Sequence, residues 1–179
     1  MKSLFIVPVL LMSLMSSPSW ALGTYDLVIR AGLFYEKFTA TPFTGEVDEG
    51  LLRGSFKNGK REGSWEGYWP NGQLMDKTNY KNGKEEGYSE WYWNNGQLGT
   101  KGNYKNGKKE GYREDYWDDG QLMYKGNYKN DKRDGTVENY HDNGQMSSKG
   151  NYTNGKSEGP WVWRQNGAAL RGVARDWRD

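Results

Sequence analysis

The chain contains no cysteine and a single histidine in 179 residues. The fold therefore needs no disulfide staple, and a lipid-modified N-terminal cysteine is excluded. No Cys/His set for zinc can be assembled, and only His141 could offer imidazole chemistry. Net charge is nearly absent too, with 25 basic residues against 23 acidic ones. A balance of that kind leaves no overall basic footprint for nucleic acid or an acidic membrane. Isoleucine, valine and leucine are scarce, so they cannot fill a conventional core. Disorder is nevertheless not expected, because aromatic residues reach 15% and disordered chains are poor in them. Glycine is abundant, at 25 residues.

The one long apolar run, Leu4 to Met15, follows Lys2 and ends in Ser16-Ser17-Pro18-Ser19. It is shorter than the ~20 residues that span a bilayer. Ser19-Trp20-Ala21 places small residues where a signal peptidase reads them. Residues 1–21 are thus expected to be a signal peptide, cleaved near Ala21 to leave a secreted or periplasmic protein. The alternative is an uncleaved N-terminal anchor.

Internal repetition organises the rest. Phe56-Lys57-Asn58-Gly59-Lys60 recurs every 24 residues, from Tyr80, Tyr104, Tyr128 and Tyr152. A second anchor runs through Asn71-Gly72-Gln73, Asn95-Gly96-Gln97, Asp119-Gly120-Gln121 and Asn143-Gly144-Gln145, with Asn166-Gly167 one residue early. A glycine column, Gly63, Gly87, Gly111, Gly135 and Gly159, keeps the same register. Asn-Gly between aromatic-rich runs signals a tight type I′ hairpin turn, whose central residues both need positive φ. Asp131 replaces the turn glycine once, so that turn is expected to be looser. Two turns per repeat predict an all-β antiparallel meander, an elongated single layer of about ten to twelve strands. The expected organisation is residues 1–21 as signal peptide, 22–53 as capping strands, 54–172 as about five hairpin repeats and 173–179 as a tail.

Two-residue turns imply a register. Glu66 then faces Lys77, Glu90 faces Lys101, Glu114 faces Lys125 and Glu138 faces Lys149, each a favourable cross-strand pair of ~0.2–1 kcal/mol. A turn at Glu49-Gly50 places Glu46 opposite Arg53. The same rule sets Trp69 against Leu74, Trp93 against Leu98 and Trp117 against Leu122. It also pairs Gly54 with Gly63, Gly102 with Gly111, Gly126 with Gly135 and Gly150 with Gly159. One face becomes aromatic over a glycine floor; the other carries the Glu–Lys pairs with Tyr68, Tyr92, Tyr116 and Tyr140.

The segment Tyr104-Lys105-Asn106-Gly107-Lys108-Lys109-Glu110-Gly111, followed by Tyr116 and Asp119-Gly120-Gln121-Leu122, resembles the MORN-variant repeat family. The likeness covers residues 43 to 172, with Pro42-Phe43-Thr44-Gly45 as its opening. Chains of this kind are often labelled YwqK-type antitoxin-like proteins. The resemblance implies binding and scaffolding in place of catalysis.

The residues themselves offer little chemistry. His141 occupies the position of Trp69, Trp93 and Trp117 and reads as a substituted aromatic. Asp115, Asp118 and Asp119 sit at a strand end and its turn, where aspartate serves the turn. Asn-Gly-Lys is not a phosphate loop, because no helix follows it. No metal or cofactor is expected. The candidate binding surface is the tryptophan set Trp65, Trp69, Trp91, Trp93, Trp117, Trp161 and Trp163, with Trp91, Trp93, Trp161 and Trp163 expected to be the most exposed. A protein partner is the first expectation, with strand addition at a sheet edge as one route. Glycan binding is the second, nucleic acid is not expected, and membrane contact is disfavoured.

Overall fold

A computed structural model describes residues 26–165 and 168–173, with side chains through residue 163. The expected signal peptide, the Asn166-Gly167 turn and the last six residues lie outside the described residues. Among those described, regular structure is almost entirely strand. A small hairpin, β1 (Leu27–Arg30) and β2 (Leu33–Glu36), precedes one twelve-stranded antiparallel sheet. That sheet runs in sequence order through β3 (Gly45–Glu49), β4 (Leu52–Lys57), β5 (Lys60–Tyr68), β6 (Leu74–Lys81), β7 (Lys84–Tyr92) and β8 (Leu98–Lys105). It continues through β9 (Lys108–Tyr116), β10 (Leu122–Lys129), β11 (Lys132–Tyr140), β12 (Met146–Thr153), β13 (Lys156–Gln165) and β14 (Ala168–Val173). Within this sheet each strand pairs with its neighbours in sequence, so the expected meander is what forms.

The two turns of each repeat differ. Asn58-Gly59 has φ of 51° and 73°, and Asn82-Gly83, Asn106-Gly107 and Asn154-Gly155 repeat the pattern, which is the two-residue turn expected. Asn130-Asp131 keeps it, with φ of 51° and 68°. Asp131 also accepts the Lys109 N–H at 2.8 Å, so the substituted turn holds its geometry. At Asn71-Gly72 only the glycine has positive φ. There Trp69 N–H donates to Gln73 O and Gly72 N–H to Trp69 O, closing a three-residue loop of a type I turn plus a left-handed glycine. Asn71 Oδ1 accepts the Gln73 N–H at 3.0 Å.

This longer loop corrects part of the register. Leu74, Leu98 and Leu122 face Tyr68, Tyr92 and Tyr116, and not the tryptophans. A bulge restores the pairing deeper in the hairpin, and all four expected Glu–Lys pairs are in place. Glu46 faces Ser55, because the first turn is Gly50-Leu51; Arg53 instead faces Asp48, with an Nε–Oδ1 distance of 2.8 Å.

The glycine pairs do not form. Gly63, Gly87, Gly111, Gly135 and Gly159 all have positive φ and sit in bulges. Opposite Gly54 the partner strand inserts Gly63, Ser64 and Trp65, since Arg53 faces Glu66 and Ser55 faces Glu62. The extra residues slide the register by two and bring a side chain over each floor glycine. Gly102 thus faces Arg113 and Gly126 faces Val137. Trp65 lies against Gly54, and Trp161 against Gly150.

The charged face is one continuous ladder. Lys77, Lys101 and Lys125 each face a glutamate on both sides, in a row that runs from Arg53–Glu66–Lys77 to Lys125–Glu138–Lys149, where Lys149 meets Glu138 on one side and Val162 on the other. Tyr68, Tyr92, Tyr116 and Tyr140 donate their hydroxyls to the glutamates two residues back, at 2.5–2.8 Å. Glu138 receives Lys125 at 2.7 Å and Lys149 at 2.8 Å. Burial raises its pKa, but these two lysines and Tyr140 outweigh that and hold it at about 2. Burial, reinforced by Glu90, pushes Tyr92 up to about 12.

Successive repeats are also bolted at their two-residue turns. Glu62, Glu86, Glu110 and Asp134 accept the backbone N–H of Asn82, Asn106, Asn130 and Asn154, at 2.8–3.1 Å. These turns bring Lys57 opposite Lys60, Lys81 opposite Lys84, Lys105 opposite Lys108 and Lys129 opposite Lys132. The N-terminal hairpin packs where Phe34 N–H meets Gly59 O, and the Phe34 ring lies 4.6 Å from that of Phe56. It therefore covers the first turn and the start of the aromatic face, around Val47, Phe56 and Trp65, and leaves the backbone edge of β3 uncovered by β1 or β2.

Candidate binding face

The aromatic face is apolar at its ends and polar between them. Val47, Phe56 and Trp65 form a buried cluster near the start of the sheet. Tyr124, Val137 and Trp161 form another toward its end. The same row between them carries Thr78, hydrogen-bonded to Ser89 at 2.7 Å, and then Gly102 facing Arg113. Arg113 pairs with Asp115 at 2.7 Å, and Thr100 donates to the same carboxylate at 2.9 Å. These polar groups satisfy one another, as groups withdrawn from water must.

Beside this polar stretch runs a row of tryptophans. Trp91 faces Asp76 on one neighbouring strand and Thr100 on the other. Its ring rests on Gly99, where a Cβ would come within 2.3 Å. Trp69 lies 6.2 Å from Trp91 and Trp93 lies 4.7 Å from it, both edge to face. Trp69 Nε1 donates to Tyr92 O at 3.0 Å, and Trp93 Nε1 to Tyr116 O at 3.1 Å. The rings are thus held in fixed orientations while remaining half-buried. Burial raises the pKa of Asp76 despite the nearby Arg61.

The tryptophans singled out from the sequence separate by role. Trp65 is 2% exposed and Trp161 5%, so both are core. Exposure was expected for Trp161, but the register slide brings it onto Gly150 and 5.6 Å from Tyr152. Trp163 stacks on Trp161 at 5.5 Å and remains 47% exposed. Trp69, Trp91 and Trp93 make the continuous row. Trp117 takes the next equivalent position, half-buried, and its Nε1 has no hydrogen-bond partner. His141 is exposed, and its backbone closes the same loop geometry as the three tryptophans before it.

Each matched unit can now be compared with known repeats. Residues 61–82, 85–106, 109–130 and 133–154 match the family described as MORN repeat variant. These segments are MORN-variant repeats. No curated protein matches the chain significantly. Each MORN-variant unit spans one hairpin around a three-residue loop, from the second residue after one two-residue turn to the first residue of the next such turn. The hairpins β3–β4 and β13–β14 extend the same sheet beyond the matched units. MORN repeats are in general non-enzymatic modules for protein or lipid interaction. Among the described residues, no group of three His, Asp or Glu side chains is arranged to hold a metal ion.

Sequence reasoning missed Asp76, Thr100 and Arg113 beside the row, and Asp115, expected to serve the turn, instead lies within β9 and pairs with Arg113. Asp76 and Thr100 share a repeat position with Leu52, Tyr124 and Ser148, while Arg113 replaces Trp65, Val137 and Trp161, and Asp115 replaces Gly67, Trp91 and Trp163. It also missed a row of cations among tyrosines: Arg61 over Tyr80, Lys109 over Tyr128 and Arg133 over Tyr152, at 5.2–5.5 Å. A two-residue turn at Asn58-Gly59 already places Phe56 across from Arg61, so this row was open to detection.

Proposed function

We propose that this MORN-variant chain is an exported, non-catalytic scaffold that binds a protein partner through Trp69, Trp91 and Trp93, extended by Trp117. The observation that carries the reading is the half-buried tryptophan row, with rings fixed by the glycine floor and by backbone hydrogen bonds. Rigid aromatic rings present contact area at low cost in conformational entropy, and they dominate binding hot spots. The signal-like Leu4 to Met15 run supports export. Mass spectrometry of the protein from the extracytoplasmic fraction tests it; processing after Ala21 is the expected result.

A second reading is favoured by the surroundings of Trp91. A tryptophan face flanked by Asp76 and Thr100, with Asp115 and Arg113 beyond, offers both a stacking platform and hydrogen-bonding groups for a neutral sugar. An affinity experiment separates the two readings. Trp91→Ala/Trp93→Ala, with folding verified by circular dichroism, is compared with the parent chain on an envelope extract. A protein retained by the parent and released by the variant supports the scaffold. Displacement by neutral polysaccharide, with no protein retained, overturns it in favour of the sugar reading.

A further inference from the structure

The near-zero net charge conceals a segregation that only the fold creates. The ladder lysines are neutralised: Lys77, Lys101 and Lys125 stand between glutamates on both sides, and Lys149 pairs with Glu138. The lysines flanking the two-residue turns are not. From Lys57–Lys60 to Lys129–Lys132, four pairs of like charge stand directly opposite each other, an arrangement that is destabilising in a sheet. All eight are exposed, and among the described residues none forms an ion pair.

Carboxylates are present on this rim but are engaged elsewhere, including Asp131 within the Lys129–Lys132 turn, which accepts the Lys109 N–H. Glu62, Glu86, Glu110 and Asp134 accept the backbone N–H groups of the following turns. The lysine stems are ordered as well. Lys60 lies over Gly83, Lys84 over Gly107 and Lys132 over Gly155, with the ideal glycine Cβ positions 3.4–3.7 Å from the lysine Cβ atoms. Each stem is thus seated on the next turn while its ammonium faces water. A groove between successive turns is lined by Lys129, Asn130, Lys132, Asp134, Thr153 and Asn154, its one carboxylate, Asp134, being the acceptor of the Asn154 N–H. Turns recur every second strand, so the pairs repeat at roughly 9–10 Å along one line.

We propose that this rim is a docking comb for a linear anionic polysaccharide, one bearing carboxylates at intervals of one or two sugars. The comb is a line and not a plane, which fits a polymer better than a membrane surface. Its cations are lysines, compact point charges, without the planar arginine forks that recognise phosphate bidentately. The Lys-Asn-Gly-Lys turns bring no aromatic ring to the rim on which nucleic-acid bases could stack. A comb this widely spaced also meets only a fraction of duplex phosphates, which present one charge per ~1.7 Å.

The test uses the full chain with alginate as the probe, in low and high salt, by isothermal titration calorimetry. Neutral dextran, duplex DNA and phosphatidylglycerol vesicles serve as comparison ligands. The variant is Lys81→Ser/Lys84→Ser/Lys105→Ser/Lys108→Ser. The expected result is alginate binding that weakens with salt and falls by about tenfold or more in the variant. The variant should melt at the same or a higher temperature, because the opposed charges are gone. Trp91→Ala/Trp93→Ala should leave alginate binding unchanged, which separates the comb from the tryptophan row. Absent alginate binding, binding unaltered in the lysine variant, or tighter binding of DNA or vesicles than of alginate would each overturn the proposal.

Discussion

Trp65 lies directly against Gly54, and a Cβ atom built on that glycine would come within 2.3 Å of the indole. The ring is only 2% exposed and packs at 4.9 Å on Phe56, with the Arg61 guanidinium 4.6 Å over it. On a single sheet that here carries only the small N-terminal hairpin, with Leu27 and Phe34 packed against the cluster, this is how a core is made. A side chain folds down onto bare backbone and is closed in by its neighbours along the row.

Gly54→Ala should therefore cost about 1–3 kcal/mol, the range for overpacking a filled site. Gly150→Ala, where Trp161 also comes within 2.3 Å, should behave alike. Gly102→Ala meets the Arg113 side chain at 3.5 Å and the Tyr112 carbonyl oxygen at 3.7 Å, ordinary contacts, and should change stability by less than about 0.5 kcal/mol. Thermal melts of the three variants check the order. Equal losses at all three sites would show that the glycine floor matters for backbone conformation alone.

The ladder predicts a particular acid response. The Glu138 pKa lies at about 2, below the ordinary 4.5. A carboxylate with a lowered folded-state pKa adds stability that is complete above its unfolded pKa and is lost as pH falls through the folded value. The loss should fall between about pH 4.5 and 2. Glu138→Gln removes a charged acceptor of three hydrogen bonds and should cost about 1–2 kcal/mol at neutral pH. It should also flatten the stability profile within that acid window. Melting temperature against pH for both proteins is the measurement.

One seam of the loop rim is incomplete. Asn71 Nδ2 donates to Asn94 O at 2.7 Å, and Asn95 Nδ2 donates to Asp118 O at 2.6 Å. The next position is Asp119, whose carboxylate has no proton to give, and the neighbouring Trp117 Nε1 is buried without an acceptor. Asp119→Asn should restore the missing link to the loop of His141. A gain of about 0.5–1.5 kcal/mol is expected, the net worth of one hydrogen bond. Hydrogen exchange should show slower opening of the β11–β12 hairpin; a destabilised variant would sink the idea.

Much of this architecture was legible beforehand. The 24-residue period, the hairpin turns and the charge ladder all depend on local turn chemistry and strand alternation. Gly72 and its equivalents were read as half of a two-residue turn because Asn-Gly suits both loop types. The choice between them rests on the length of the loop and on hydrogen bonds to Gln73. The glycine column was read as facing the floor glycines because pairing was counted outward from the turn without a bulge. A positive φ at Gly63 cannot be told from an extended glycine by composition.

By itself, then, the sequence determined the repeat, the antiparallel order and the separation of aromatic from charged residues, since these follow from period and neighbour identity. Only the tertiary structure decided which tryptophans are core and which are surface, because a two-residue slide selects the ring that covers each glycine. It alone also decided which lysines are neutralised. Every lysine of the chain looks alike in a sum of charges, but a ladder lysine faces a glutamate, on two strands for Lys77, Lys101 and Lys125. A turn lysine faces another lysine, while the nearest carboxylates hold the backbone of the next repeat.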